Sequence, residues 1–162
     1  MNEIRTEVAA EYGIVTTAKE NEILEQAKTI IAKRMQKGKQ LSKPSETKDY
    51  FMHHTALLEN EVFMMITLNN QNQIIKTHQV ASGTINSASV HPREVVKTAL
   101  KDNASNVIFG HNHPSGNAEI SSADKKITNK LESALSLVDI DVLDHIVIAG
   151  AEAVSFSDIG EI

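Results

Sequence analysis

The sequence contains no cysteine and no tryptophan. The missing cysteine excludes disulfide staples, thiolate nucleophiles and every zinc site built on cysteine. Aromatic residues make up only 4% of a chain whose hydrophobic share is 41%, so the core has to be mostly aliphatic. That suits Val/Ile strands packed against Leu/Ala helices, the pattern of an α/β or α+β domain. No apolar run is long enough to cross a bilayer. The opening residues, MNEIRTEVAAEYG, lack the basic start and apolar stretch of a signal peptide, so a cytoplasmic location is expected. Positive charge is also scarce: 16 Lys and Arg stand against 21 Asp and Glu, a formal net charge of −5. Surfaces that grip nucleic acid are usually basic, which argues against DNA or RNA as the main partner. GxGxxG, a Walker loop and an HExxH helix are absent as well. So is the Cys-bearing signature of the zinc nucleobase deaminases.

What is present fills about one domain in 162 residues. Residues 1–16 show no period and are expected to be loosely docked. TAKE at Thr17–Glu20 has the form of a capping box. Behind it Ile23, Leu24, Ala27, Ile30, Ile31 and Met35 share a helical face, which predicts a helix over 18–36. Gly38 and Pro44 break it, and Pro44 opens a second helix to about Leu58. EVFMMITL and QIIKTHQVA, joined by NNQN, read as a β-hairpin. SGTINSASV reads as loop, HPREVVKTALKDN as a helix and NVIFG as a buried strand. A helix over 121–138 follows, with Ile127, Leu131, Leu135 and Val138 as its stripe. IDVLDHIVIAG and AVSFSDIG supply two last strands. From Glu61 the order is ββ-α-β-α-β-β, which implies an α/β fold with a mixed β-sheet flanked by helices.

The chemistry concentrates in HNHPSGNAEISSAD, His111–Asp124. In extended backbone His111 and His113 point to one face, and Asn112 between them points to the other. Pro114 favours that extended geometry in the residue before it. Gly116 lets the loop fold back, so that Asp124, in the first turn of the next helix, meets the strand end. Two imidazoles and a carboxylate make a three-ligand zinc site with one position open for water, and such an ion lowers the pKa of bound water to about 7. A second reading needs no metal. Ser121 is a good N-cap and Asp124 is the acid at the third helical position. For Asp124 taken alone, capping is the commoner role. His53 and His54 diverge on a helix and are expected to be solvated. His78 is expected at the surface, and His91 beside the site loop. His145 is expected to be a hydrogen-bonded core histidine, with contact to a ligand as the alternative.

H-x-H, seven residues, then S-x-x-D is the JAMM motif of MPN-type domains, and His111, His113, Ser121 and Asp124 match it with full spacing. Together with EVFMMITLN, ASVHPREVVKTAL, GHNHPSG, SSADKKIT, ALSLVDIDVLDHIVI and VSFSDIG, the chain resembles the RadC family of bacterial JAMM-domain proteins. The resemblance runs from about Thr47 to the C-terminus. It divides the chain into an N-terminal helical segment and linker, 1–46, and a JAMM metal-binding domain, 47–162. It implies the JAMM/MPN (cytidine-deaminase-like) α-β-α sandwich. It also implies one Zn2+ held by His111, His113 and Asp124, and a peptide or isopeptide bond of a protein substrate as the target. Glu61 matches the family's upstream glutamate, whose implied role is general base, with Glu94 as the competing candidate. Ser121 would donate to the tetrahedral oxyanion. Fuller family members carry an N-terminal helix-hairpin-helix segment, for which this chain has no room; it resembles the short forms found on mobile elements. A non-catalytic interaction module and a DNA-repair-associated protein are the alternative functions. Substrate identity and oligomeric state are open at this level.

Overall fold

The computed structural model describes residues 18–34, 38, 40, 44–55, 58–83 and 90–162. Residues 1–17, the side chains of Ile31 and Met35, and the stretch 84–89 of the SGTINSASV loop lie outside the described residues. Among the described residues the elements follow in the order α1 (Ala18–Arg34), α2 (Pro44–Thr55), β1 (Val62–Leu68), β2 (Ile74–Ser82), α3 (Pro92–Lys101), β3 (Asn106–Asn112), α4 (Ser122–Ser136), β4 (Asp141–Ala149) and β5 (Glu152–Ser155). The expected order from Glu61 is therefore the observed one. The expected last residues of both N-terminal helices, 35–36 and 56–57, lie outside the described residues, and Leu58 is not helical.

The strands form one mixed sheet in the order β2-β1-β3-β4-β5. Only β3 and β4 run parallel, because α4 carries the chain across between them. The β1–β2 hairpin turns through Asn72, whose φ of 56° is a left-handed conformation that asparagine tolerates. The Asn69 side chain closes that turn by accepting from the amides of Gln71 and Gln73, both at 2.9 Å.

Strand alternation divides the core in two. Phe63, Met65, Val107 and Phe109 face α3 and α4, against Val95, Ala99, Ile127, Leu131 and Leu135. Ile66, Leu68, Ile108, Ile146 and Ile148 face α2, against Tyr50 and Phe51. Phe51 lies so close over β3 that a Cβ on Gly110 would come within 2.5 Å of its ring. This is why glycine sits in mid-strand there. Helix α2 is thus an integral cover of the sheet. Helix α1 packs chiefly on α2. Ile23 and Ile30 of its expected apolar stripe consequently remain 55% and 52% exposed.

One irregularity matters for the site. Between Val107/Ile108 on β3 the partners on β4 jump from Val142 to Asp144. A strict period of two from Val142 would send His145 to the α2 face. The extra residue shifts the alternation, and His145 lies opposite Phe109, with its ring edge-on to Phe109 and Phe63 on the α4 side. Asp144 holds the bulge, accepting from the His145 amide at 2.7 Å and the Ser155 hydroxyl at 2.7 Å.

Candidate metal centre

His111 lies buried one residue before the end of β3 and stacks on Phe63, its partner on β1. His113 lies one residue past the strand, where its amide still pairs with the Ile148 carbonyl at 2.7 Å. The chain then turns at Gly116, with φ of 75°, and returns to the start of α4. There Ser121 is the N-cap and Asp124 the third helical residue, in a reciprocal capping box. The Asp124 amide donates to Ser121 Oγ at 3.1 Å, and Asp124 Oδ2 accepts from the Ser121 amide at 2.8 Å and from its hydroxyl at 2.6 Å.

Capping and ligand geometry coincide in Asp124. Its Oδ1 lies 3.2 Å from His111 Nε2 and its Oδ2 lies 3.4 Å from His113 Nε2. The two Nε2 atoms are 3.0 Å apart. These three residues form a cluster that could hold a metal ion. At zinc–nitrogen distances near 2.0–2.1 Å, neighbouring donors of a tetrahedron stand roughly 3.3–3.4 Å apart. The spacing found here is close to that edge.

Proton counting shows which ring atoms face the cluster as acceptors. Thr128 has one hydroxyl hydrogen, and it goes to the Asp124 carbonyl at 2.7 Å. Its oxygen, 2.6 Å from His145 Nδ1, must then accept, so His145 carries its proton on Nδ1. Burial keeps that imidazole neutral, its pKa pushed well below the usual histidine value, with the neighbouring His111 acting in the same direction. His145 Nε2 is left as an acceptor, 2.8 Å from His111 Nδ1, which donates. The His111 proton is thus fixed on Nδ1, and its Nε2 offers a lone pair. His113 Nδ1 donates to the Asn117 carbonyl at 2.8 Å, which leaves its Nε2 in the same condition. Two lone pairs 3.0 Å apart repel unless a cation lies between them. The hydrogen bond with Asp124 raises the His113 pKa, partly offset by burial and assisted by the Asn117 carbonyl and the charge of Glu61. Burial alone would raise the Asp124 carboxyl, but the facing His111 and His113 rings and the Ser121 hydrogen bond outweigh it and hold the group well below the ordinary carboxylate range.

Glu61 precedes β1, half-buried, and its charge acts on His113. Glu94 lies on the exposed first turn of α3, where it pairs with Lys97. Of the remaining histidines, His53 is exposed, and His91 is an exposed N-cap residue without a side-chain cap bond. Two depart from expectation. His54 is half-buried against the Tyr50 ring, 4.1 Å between centroids, one helical turn back. His78 is not a free surface residue: it lies opposite Met65 and pairs with Asp102 at the end of α3, which also accepts from Thr67. Thr128 is the one member of the buried network that the sequence reading passed over. Its signal was a polar residue one turn after Asp124, set in an apolar helical stripe.

A five-stranded mixed sheet, with two histidines at the end of a central strand and an aspartate at the start of the next helix, defines an α/β domain of the JAB type. The chain belongs to the RadC-like JAB domain family, whose model matches residues 41–161. It is 52% identical over 138 residues to a UPF0758 protein of Pseudoalteromonas translucida, covering 85% of this chain and 62% of that one. It is 46% identical over 151 residues to a UPF0758 protein of Vibrio cholerae, covering 93% of this chain and 96% of that one. A UPF0758 protein of Saccharophagus degradans is 48% identical over 138 residues, again with 62% of its length matched. The chain therefore spans under two thirds of some relatives and nearly all of another. Among the described residues no helix is long and apolar enough to cross a membrane.

Proposed function

We propose that the protein is a zinc-dependent hydrolase that cleaves a peptide or isopeptide bond of a protein substrate in the cytoplasm. The observation that carries this reading is the set of three mutually facing donors, two of them imidazole nitrogens whose tautomers are fixed with the lone pair inward. Such a donor set suits one Zn2+, and the ion when bound supplies a Lewis acid and an acidified water. His111, His113 and Asp124 would hold it. Family membership supports the same assignment.

The other roles fall to residues beside the cluster. Glu61 is assigned as the proton acceptor that later delivers the proton to the leaving amine nitrogen. Its charge reaches His113, which supports the assignment. Ser121 is assigned as donor to the oxyanion of the tetrahedral state. Its single hydroxyl hydrogen points to Asp124 Oδ2 and would swing toward substrate. Metal analysis together with a panel of peptide and isopeptide substrates tests the proposal. Stoichiometric zinc and turnover, both lost in His113→Ala, are expected. A protein that excludes zinc with its histidines intact would end it.

A further inference from the structure

We propose that Asn112, the residue between the two histidines, is a positioning residue that fixes Glu61 relative to the metal ligands. The inference rests on the reading of Glu61 as the proton acceptor. Strand alternation turns the Asn112 side chain away from the cluster, and it is 2% exposed. Its carboxamide reaches the turn before β1. Oδ1 accepts from the Val62 amide at 2.8 Å, and Nδ2 donates to the carbonyls of Asn60 at 3.1 Å and Leu58 at 3.3 Å.

The choice of partners is informative. The Asn60 carbonyl belongs to the peptide unit before Glu61, and the Val62 amide to the unit after it. Both planes that set the Glu61 backbone dihedrals are therefore tied to one side chain. The Glu61 carbonyl is held from the opposite edge by the Gly83 amide at 2.9 Å. The backbone ladder between β1 and β3 extends only from Leu68↔Asn106 to Phe63↔His111. Beyond Phe63, the Asn112 carboxamide takes the place of the ladder.

One strand end thus serves both halves of the site. His111 and His113 face the ion, and Asn112 holds the turn that carries Glu61, so the separation between base and ligands is built into three consecutive residues. The task needs one acceptor and two donors in a single plane, which a carboxamide supplies. Aspartate has the same shape but places a carboxylate oxygen against two carbonyl oxygens. Serine retains one hydroxyl and cannot span three partners.

The test uses zinc-loaded full-length Asn112→Asp and Asn112→Ser, compared with Glu61→Gln. The expected result is a kcat about 10–100-fold lower, the scale set by a displacement of about 1 Å in a reacting group. KM and zinc affinity, read by chelator competition, should stay within about twofold. Adding Asn112→Asp to Glu61→Gln should cost nothing further, since both act through one group. Independently of turnover, the Val62 amide should exchange hydrogen faster while the His113 amide keeps its protection. Wild-type kcat in both Asn112 variants, alongside an inactive Glu61→Gln, would overturn the proposal and leave the function standing. Loss of zinc in both variants would overturn it too, by showing that Asn112 supports the ligand strand as a whole. Wild-type turnover in Glu61→Gln would instead sink the assignment of Glu61, on which the inference depends.

Discussion

Thr128→Val removes one oxygen from a buried helix position and keeps the side-chain volume. Its consequences follow from the proton chain behind His111. In the native protein Thr128 accepts from His145 Nδ1 at 2.6 Å, and His145 Nε2 accepts from His111 Nδ1 at 2.8 Å. Valine leaves two outcomes. His145 keeps its tautomer and buries an unpaired N–H, at a cost of about 1–3 kcal/mol. Otherwise its proton moves to Nε2, facing His111 Nδ1. His111 must then accept there and carry its own proton on Nε2, the atom that faces Asp124. Either outcome weakens a metal site whose ligand geometry depends on its outer partners. Loss of such a partner usually costs 10–100-fold in metal affinity, or about 1.4–2.8 kcal/mol. Zinc competition against a chromophoric chelator should show that loss in Thr128→Val, and Thr128→Ser should bind as the wild type does. Equal affinity in all three proteins would refute the tautomer argument. Equal loss in serine and valine variants would do the same, since serine retains the hydroxyl.

Two further outcomes are expected. Gly110→Ala should lower stability by about 1–3 kcal/mol through overpacking, because the new methyl would lie 2.5–2.6 Å from three carbons of the Phe51 ring. Urea unfolding should read this cost, and Phe51→Ala in the same chain should make it smaller; an unchanged midpoint for Gly110→Ala alone would contradict the packing. The second outcome concerns pH and metal removal. In the metal-free protein the raised pKa of His113 gives stability that is full below about 6.5 and is lost as pH rises through the folded value. The depressed pKa of Asp124 gives stability that is full above about 3.9 and is lost only as pH falls through its folded value. Zinc requires His113 without its proton, so the rise in melting temperature on adding zinc should grow from pH 5 upward and level off above the folded pKa of His113. At 100 times the dissociation constant the stabilisation is about 2.7 kcal/mol, and chelator should abolish it. A zinc effect independent of pH would contradict the proton-for-metal exchange.

The elements from Glu61 onward were legible because each carries its own period. EVFMMITL and NVIFG are short apolar runs bounded by turn residues, and the stripe Ile127, Leu131, Leu135 has helical spacing. The His-x-His pair at a strand end and the Ser-x-x-Asp at a helix start were legible for the same reason, since local geometry alone sets the direction of those side chains. What the sequence could not show depends on long-range register. His78 looked like a surface residue because nothing near it announces that the end of α3 brings Asp102 beside it. The exposed Ile23 and Ile30 looked like core because periodicity records a face and not what covers it.

His145 is the case in which local pattern and tertiary arrangement conflict most directly. Period two along VLDHIV assigns Val142 and His145 to opposite faces, and on that count His145 could never reach His111. The bulge between Val142 and Asp144 reverses the count. Asp144 stabilises the bulge through the His145 amide, the Ser155 hydroxyl and the Ser157 amide, at 2.7, 2.7 and 3.1 Å. The Asp-His pair in DHIVI is therefore one structural unit. The aspartate sets the strand irregularity, the irregularity turns the histidine inward, and the histidine fixes the tautomer of a candidate ligand on the neighbouring strand. By the same logic Asn112 fixes the candidate base from the other face of that strand. Alternate faces of one strand end thus orient the two groups, ligand and base, that hydrolysis at this site would require.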